Sequence, residues 1–600
     1  MEELVAELGS EETPFQLDDL GEDVFRRSYA YDKEETWEQA SLRVSRHVAE
    51  AEDNGKRIKW TERFYNELVT NRFMPGGRIW YSAGRNKAQS LNCFVIPVSD
   101  SREGWGQMLK ESIIISGTGG GVGINFSPIR PNGSEIKGTG GYATGPVSLM
   151  RMDDGVGLEL VAGGGRRMAK MSCLDIDHPD VMEFLNSKLE DGKLSTTNIS
   201  VVINFNPTEF VELVKNDGDI ELSWNGVKTG ETIKAKVLWD KIVENAWNNG
   251  EPGVLNGYLA NQQNNIAYSK PLISTNPCGE IWLEAYGCCC LGALVLPRFV
   301  THDGKVDWDA LESTVRVAVR FLDNVLTVNH YPFDKIRENC EEVRRIGMGV
   351  MGLHTMMLEL GIKYSSDEAL EFIDKLFSFI KNTAYDTSIS LAIEKGPFPG
   401  FKPEFVDSGF MKTVKPALRR KVREYGIRNC AILTVAPTGT TGIVSGVSTG
   451  IEPYMAGVYW RKIKTVDAKQ KTVIKRVLVV EPAYDIYGDL CEGAADIPVE
   501  KHFAVQKAVQ KHVDNAVSKT INLPNDYPMD DLSELWLEYL PYLKGSTFYR
   551  WGSRENEPFE PVLMKDVDLV LSETPEDMIM RKERTEEQNA MDCVDGVCAI

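Results

Sequence analysis

Apolar runs and helix-like periodicity alternate along the chain. Residues 198–205 are mostly apolar and predict a buried strand, and residues 91–96 predict a shorter one. Residues 308–326 have the spacing of an amphipathic helix, with one apolar face made of Leu311, Val315, Ala318, Leu322 and Val325. Strands that alternate with helices in this way favour an α/β architecture.

Local signals predict further helical regions. Residues 37–69 mix polar and apolar positions at helix spacing, whereas the acidic residues 1–35 are predicted to be loosely ordered. Another helix is predicted to begin near Ser365, because Ser365 and Glu368 have the spacing of a capping box. Gly396, which is followed by proline, is predicted to end that helical region.

Composition and charge narrow the functional classes. The 600 residues have a formal net charge of −21, which argues against a nucleic-acid-binding surface. No apolar run approaches the roughly 18 residues that cross a membrane. The acidic N-terminus lacks the basic and then apolar segment of a secretory signal. We therefore predict a cytoplasmic protein without nucleic-acid or membrane partners, built as one large catalytic domain with appended pieces.

The segment 274–280, with the sequence STNPCGE, contains the main candidate chemistry. Cys278 stands two residues from Asn276 and two from Glu280. On an extended segment, residues two apart face the same side, so an amide, a thiol and a carboxylate could meet one substrate. Gly279 would let that ligand come close. The alternative is a buried structural cysteine beside a turn, which is the commoner role of a lone cysteine.

Eleven cysteines in a chain predicted to be cytosolic indicate thiol chemistry or metal binding rather than a disulfide scaffold. Cys288, Cys289 and Cys290 are adjacent and therefore poorly placed to chelate one tetrahedral ion together. Cys593 and Cys598 are only two thiols and cannot complete a structural zinc site. We predict no metal site, and instead a mobile tail dithiol suited to thiol–disulfide exchange.

Three glycine-rich segments are candidate nucleotide contacts. Residues 117–123 follow a helical segment rather than a strand, so a dinucleotide fingerprint is disfavoured and a loop whose amides approach a substrate is predicted. Residues 436–442, with the sequence APTGTTG, lie between a predicted strand and helix, which suits a phosphate. Residues 163–170 form a flexible basic loop, for which an exposed linker is the alternative.

The NPCGE motif at 276–280, with the cysteines after it, resembles the finger loop of the ribonucleotide reductase large chain. The resemblance extends from Phe73 to Arg554 and includes the sequence FMPGGR at 73–78. It implies a ten-stranded α/β barrel with a central finger loop, a short helical N-terminal region and a flexible C-terminal tail. We place the N-terminal region at 1–70, without an ATP-binding module, the catalytic barrel at 71–555 and the redox tail at 556–600.

The resemblance implies that a thiyl radical starts the replacement of a ribonucleotide 2′-hydroxyl by hydrogen. Cys278 is expected to take the 3′-hydrogen as the radical, and Glu280 to accept the 3′-hydroxyl proton as general base. Asn276 is expected to orient the sugar hydroxyls. A dithiol then supplies the reducing electrons, and Cys93 is expected to be one of its halves.

For the second half of the dithiol we choose Cys289, with Cys288 and Cys290 as alternatives. Cys593 and Cys598 are expected to reduce the resulting disulfide by exchange, and a thioredoxin or glutaredoxin to reduce them in turn.

The resemblance also implies the binding residues and a homodimer. The ribonucleotide substrate is expected at Asn92, Gly120, Gly121, Asn276, Pro437, Thr438, Gly439, Thr440 and Thr441. A deoxynucleotide or ATP specificity effector is expected at Asp100, Arg130, Arg166 and Arg167.

The source of the radical separates two versions of this enzyme. Reductases that receive the radical from a partner subunit have two adjacent tyrosines late in the barrel, whereas this chain has Phe548 and Tyr549. With one tyrosine instead of two and no N-terminal ATP-binding module expected, the chain resembles the adenosylcobalamin-dependent class II enzymes. By the same resemblance, ribonucleoside diphosphates are the favoured substrates. The alternatives are a class I large subunit that needs a radical-generating partner and, from another class, a cysteine-rich thiol redox or metal-binding protein.

Overall fold

The computed structural model describes residues 13–581 apart from 139, 161–168, 190–193, 467–471, 554–558 and 576–577. Within these residues, every helix is too short or too polar to span a bilayer. The α-helices of the described residues are Asp19–Ser28, Trp37–Ala49, Arg57–Val69, Gly77–Ser82, Arg102–Gly117, Gly145–Glu159, Val181–Asn186, Pro207–Lys215, Ala235–Asn249, Gly257–Gln262, Trp308–Val328, Asp334–Val343, Leu353–Glu359, Asp367–Lys395, Pro416–Tyr425, Gly439–Ser445, Pro482–Tyr487, Val499–Gln510, Met529–Tyr539 and Val567–Glu573.

The strands are numbered β1 to β19 in chain order. They are Phe73–Pro75, Cys93–Val95, Gly121–Asn125, Lys170–Asp175, Thr197–Ile203, Asp219–Trp224, Val227–Lys234, Gly253–Asn256, Ser274–Thr275, Trp282–Leu283, Cys288–Cys289, Leu291–Val295, Gly347–Met351, Val458–Val466, Thr472–Val480, Thr520–Leu523, Gly545–Arg550, Phe559–Val562 and Ile579–Arg581. Strands predicted at 91–96 and 198–205 are therefore confirmed as β2 and β5.

The central sheet has eight strands in the order β11-β2-β3-β4-β5-β8-β17-β16. Strands β2 to β5 and β8 run parallel, and helices connect most of them, as is usual for parallel neighbours. A second sheet has the order β1-β12-β13, and only Cys290 separates its strand β12 from β11. The mixed α/β class is confirmed. The regular ladders of the described residues do not form one closed ring, so the ten-stranded barrel stays a prediction.

The predicted amphipathic helix is confirmed as Trp308–Val328. Asp307 caps it by accepting from the Ala310 amide at 2.9 Å, and its five predicted apolar residues are all buried. The helix Asp367–Lys395 begins one residue later than predicted. Its cap is Ser366, which accepts from the Ala369 amide at 3.1 Å, because the Ser365 hydroxyl instead donates to Glu492. Gly396 ends this helix as predicted.

Both ends of the described chain are more ordered than predicted. The helix Asp19–Ser28 lies in the segment predicted to be loose, and it buries Phe25 in the main core. Within the predicted tail, β18 pairs with β14 and β19 pairs with β15 in a four-stranded sheet. Val562 and Val567 are buried there against Val458, which explains why this part folds onto the domain.

Candidate active site

The finger segment is a β-hairpin rather than an extended strand. Strands β9 and β10 pair antiparallel, and the residues between them turn back. The Gly279 amide donates to the Asn276 carbonyl at 3.0 Å, and Gly279 has a φ of 77°, a left-handed conformation that glycine adopts without strain. The predicted alternation of side chains along one extended face is therefore wrong. The turn itself brings Asn276 to Glu280, whose side chains share a hydrogen bond.

Contacts with neighbouring strands hold the hairpin in place. The Glu280 carbonyl accepts from the Thr434 hydroxyl at 2.5 Å and from the Ala516 amide at 2.9 Å. The Asn198 side-chain amide donates to the Pro277 carbonyl at 3.2 Å. At Gly123 a side chain would collide with the hairpin, because an added Cβ would lie 1.8 Å from the Thr275 carbonyl oxygen. The sequence did not predict these contacts with the hairpin. The only signal for them was the glycine-rich segment 117–123, which contains Gly123.

Glu280 has the properties of a general base. Its side chain is buried, and its Oε2 atom has no hydrogen-bond partner within the described part of the chain. Burial raises the pKa of the Glu280 carboxyl to about 7, although the hydrogen bond with Asn276 acts in the opposite direction. Near neutral pH such a carboxyl is ready both to accept and to return a proton.

Cys278 is placed to meet a ligand. Its side chain is exposed, and an added Cβ at the adjoining Gly279 would meet no atom within 4 Å. The protein around the loop raises the pKa of the Cys278 thiol, chiefly by desolvation and secondly through the charge of Glu280. The group is therefore an accessible thiol rather than a thiolate, so it has a hydrogen atom to give up in radical chemistry.

Cys93 and Cys289 lie opposite each other in neighbouring strands. They are register partners in the antiparallel pair β2–β11, and their side chains share a hydrogen bond. Cys93 also accepts from the Asn276 side-chain amide at 3.5 Å, which connects the cysteine pair to the finger hairpin. The hydrogen bond with Cys289 is the main cause that raises the pKa of the Cys93 thiol, followed by burial.

The two other cysteines of the cluster face elsewhere. Cys288 contacts Cys340, and the Cys290 thiol donates to the Leu322 carbonyl at 3.5 Å. Of the three candidates for the partner of Cys93, the structure brings Cys289 to it. The redox role of the pair remains a prediction.

Gly120 and Gly121 lie beside this pair but differ from the prediction in their contacts. The Gly121 amide donates to the Asn92 carbonyl at 2.8 Å and the Gly120 amide to the Ile115 carbonyl at 3.1 Å, so neither is free for a substrate. An added Cβ at Gly121 would lie 2.9 Å from Pro277 and 3.2 Å from the Cys93 sulfur. Gly121 therefore makes room for the finger hairpin, whereas an added Cβ at Gly120 would lie 2.7 Å from the Phe94 ring. The Asn92 Oδ1 atom is buried and has no hydrogen-bond partner among the described residues.

The loop 436–442 approaches the same cluster. Ala436 packs against the small apolar cluster that contains Cys289 and Cys93. Thr438 has a φ of 52°, its hydroxyl accepts from the Gly450 amide at 2.8 Å, and the helix Gly439–Ser445 follows it. Beside Gly439 an added Cβ would meet open space. The Thr441 hydroxyl donates to the Thr438 carbonyl at 3.3 Å, and residues 437–440 are half-buried. Pro437, Thr438, Gly439, Thr440 and Thr441 all stay predicted substrate contacts.

The predicted effector residues form a separate pair. Arg130 donates to the Asp100 carboxylate at 2.7 Å through its side chain and at 3.2 Å through its backbone amide. The next residue, Ser101, caps the helix Arg102–Gly117 by accepting from the Gly104 amide. Arg166 and Arg167 of the predicted effector loop lie outside the described residues, as do Cys593 and Cys598 of the tail.

Comparison with known protein families now identifies the class. A family described as "Ribonucleotide reductase, barrel domain" matches residues 91–545, and one described as "Ribonucleotide reductase, all-alpha domain" matches residues 15–88. The chain therefore belongs to the ribonucleotide reductase large-chain family. The domain boundaries predicted at 70 and 555 stay predictions.

Curated relatives indicate a particular branch. A protein of Mycobacterium tuberculosis is 34% identical over 554 residues, which are 86% of this chain and 76% of the relative. One of Thermoplasma acidophilum is 32% identical over 564 residues, 89% of this chain and 70% of the relative. Both are named vitamin B12-dependent ribonucleoside-diphosphate reductase. A Vaccinia virus ribonucleoside-diphosphate reductase large subunit is 28% identical over 441 residues, 66% of this chain and 57% of that protein.

Replacing Cys289 should identify the partner of Cys93. We expect Cys289→Ser to lower multiple-turnover ribonucleotide reduction about 100-fold, because the disulfide that closes each cycle cannot form. Cys288→Ser and Cys290→Ser are matched controls and should keep activity within about threefold. Deoxynucleotide formation over repeated turnovers is the measurement. If Cys289→Ser stayed active while Cys288→Ser or Cys290→Ser lost activity, Cys289 would not be the redox partner of Cys93.

Proposed function

We propose that this chain reduces ribonucleoside diphosphates to 2′-deoxyribonucleoside diphosphates by a thiyl-radical mechanism that depends on adenosylcobalamin. The observation that carries the proposal is the convergence of an accessible Cys278, a buried Glu280 and the Cys93–Cys289 pair around one hairpin. The relatives named for vitamin B12 and for diphosphate substrates support the choice of cofactor and substrate.

The residues divide the reaction among them. Cys278 removes the 3′-hydrogen of the ribose after it has lost its own hydrogen atom. The unpartnered Oε2 atom of Glu280 accepts the proton of the 3′-hydroxyl, and water leaves from C2′. Cys93 and Cys289 each give up one hydrogen and become a disulfide, which supplies the two electrons of the reduction. Asn276 orients the sugar hydroxyls, and its side-chain amide also donates to the Cys93 sulfur at 3.5 Å, which connects it to the reducing pair.

The surroundings of Cys278 fit a bulky radical source. The thiol is exposed and open space adjoins Gly279, so a large group can approach the hairpin tip. When bound, adenosylcobalamin would supply a carbon-centred radical to this thiol. Phe548 packs against Trp536 with ring centroids 4.2 Å apart, and only its neighbour Tyr549 carries a phenol. A pair of stacked phenols for transfer from a partner subunit is therefore missing in this strand.

The effector, the reductant and the dimer belong to the same proposal. Asp100 and Arg130 would bind the ribose and phosphate of a deoxynucleotide or ATP effector, for which their ion pair must rearrange. Arg166 and Arg167 would complete that site. Cys593 and Cys598 would reduce the disulfide of the active site and be reduced by a thioredoxin or glutaredoxin. We further propose a cytoplasmic homodimer.

We also propose that the sheets close into the ten-stranded barrel. The isolated bridges Met348–Leu433 and Val435–Val517 are parallel and support it, because they connect β13 through residues 433–435 towards β16. On the other side, β11 pairs with β2 and leads directly into β12, which pairs with β13. Ten strands arranged in this way would surround the finger hairpin.

The decisive experiment is an assay of the isolated chain. With adenosylcobalamin and a dithiol reductant, we expect deoxynucleotide formation from diphosphates at a rate at least about 100-fold above the reaction without cofactor. Diphosphates and triphosphates are compared at matched concentrations, with each effector in turn. Activity that needs a second protein instead of the cofactor would support the class I alternative. Thiol oxidation without nucleotide reduction would support the redox-protein alternative.

A further inference from the structure

A second pair of cysteines shares strand β11 with the first. The Cys288 and Cys340 sulfur atoms are 2.6 Å apart, and both residues are buried, at 3% and 2% exposure. Cys340 lies on the helix Asp334–Val343. Successive residues of a strand face opposite sides, so Cys288 points into the main core whereas Cys289 points towards the finger hairpin.

Both cysteines are free thiols whose sulfur atoms are in direct contact. Forming the ~2.05 Å bond of a disulfide would therefore need only a small shift of the two side chains. The strand and the helix thus already hold the two sulfur atoms within reach of each other. Cys290 is not a competitor in this geometry, because its thiol is directed to the Leu322 carbonyl.

We propose that Cys288 and Cys340 form a disulfide when the protein meets a small oxidant such as hydrogen peroxide. One thiol attacks the peroxide, the O–O bond breaks, and a sulfenic acid and one water result. The second thiol attacks the sulfenic sulfur, the S–S bond forms, and the oxygen leaves as a second water. The two thiols are oxidised by two electrons in total, and the peroxide is reduced. A dithiol reductant reverses the bond by exchange.

The bond would serve the reaction without taking part in it. It would tie β11, and with it the backbone of Cys289, to a helix 52 residues away in sequence. It would also remove Cys288 as a nucleophile that could exchange with the neighbouring Cys93–Cys289 disulfide. Of the three consecutive cysteines, only Cys289 would then be available to form a disulfide with Cys93, because the Cys290 thiol is directed to the Leu322 carbonyl.

Mass spectrometry of the full chain tests the bond without any turnover. The protein is treated with hydrogen peroxide or with dithiothreitol. It is then unfolded in denaturant in the presence of iodoacetamide, which alkylates free thiols, and digested with trypsin. Cys340 is the only cysteine of the fragment 338–344, so its alkylated form reports free thiol directly. We expect peroxide to lower this fragment at least about tenfold and to create a disulfide-linked fragment that contains residues 288–290.

Variants assign the partner. The linked fragment should vanish in Cys288→Ser and persist in the matched control Cys290→Ser. The proposal is overturned if Cys340 stays alkylated after peroxide, if it is found only as sulfinic or sulfonic acid, or if Cys290→Ser removes the link. Cys288→Ser should keep ribonucleotide reduction, so a failure of the proposed enzymatic function would be seen separately from a failure of this bond.

Discussion

Cys278→Ser is expected to lower kcat for ribonucleotide reduction by about 10⁵-fold or more, while the Kd for nucleotide stays within about threefold. Serine keeps the size and polarity of the residue at this exposed hairpin tip, so the substrate site is preserved. It cannot form the sulfur radical, because its O–H bond is much stronger than the thiol S–H bond. The measurements are product formation with adenosylcobalamin and equilibrium binding of a ribonucleoside diphosphate.

The matched control for this prediction is Cys290→Ser. It also exchanges a sulfur for an oxygen near the same strands, but the buried Cys290 thiol faces the Leu322 carbonyl. This variant should melt near the wild-type temperature and keep its turnover. If Cys278→Ser retained more than about a tenth of wild-type activity, Cys278 would not be the hydrogen-abstracting residue.

The sequence predicted the chemistry of the finger segment but gave the wrong reason for its convergence. An extended segment was expected to align Asn276, Cys278 and Glu280 on one face. The structure instead turns the chain at Gly279, and the side chains meet because both ends of the turn enter paired strands. Periodicity within seven residues cannot distinguish these outcomes, since the turn depends on the pairing of β9 with β10.

The hydrogen bonds that hold the hairpin from distant parts of the chain could not be predicted from the sequence either, because they also depend on tertiary structure. Asn198 and Thr434 lie 79 and 154 residues from the carbonyl groups they bind. Thr434 is a polar residue among apolar neighbours, and Asn198 lies between Thr197 and Ile199 in β5. From the sequence alone, neither can be distinguished from a surface position. Local signals were sufficient where the contact is local, as in the helix Trp308–Val328 with its Asp307 cap.

The ordered ends show the same limit. The helix Asp19–Ser28 is short and polar overall, so propensity alone is too weak to predict it. Its stability comes from Phe25 in the main core, with Phe15 packed against the same core, and those partners are supplied by distant elements. Likewise, β18 and β19 contain three or four residues, and they are strands because β14 and β15 provide edges to pair with.

Glu280 connects stability with catalysis. The burial that makes its carboxylate a base near neutral pH also lowers the stability of the folded state when the carboxylate is ionised. Burial without a partner for Oε2 raises the pKa of its carboxyl to about 7 from the ordinary value of 4.5. The folded state therefore binds this proton more tightly than the unfolded state does. The resulting stabilisation is fully present below about pH 4.5 and is lost as the pH rises through about 7. The shift corresponds to about 3 kcal/mol at most.

Glu280→Gln should separate the two effects. We expect kcat to fall by about 10³-fold, because an amide cannot accept the 3′-hydroxyl proton. In the wild type, kcat/KM should decline below about pH 7 as Glu280 becomes protonated, and the residual activity of the variant should lack this limb. The variant should also melt at a higher temperature than the wild type at about pH 8, with the difference shrinking towards about pH 5.

Glu280→Asp is the matched control, because it keeps an ionisable group while withdrawing it from the substrate. It should retain the acidic limb of the pH profile at a rate between those of the wild type and Glu280→Gln. Two results would contradict the assignment. One is an unchanged acidic limb in Glu280→Gln, which would place the base on another residue. The other is a lower melting temperature of Glu280→Gln at about pH 8, since that would mean that the ionised carboxylate has a stabilising partner in the fold.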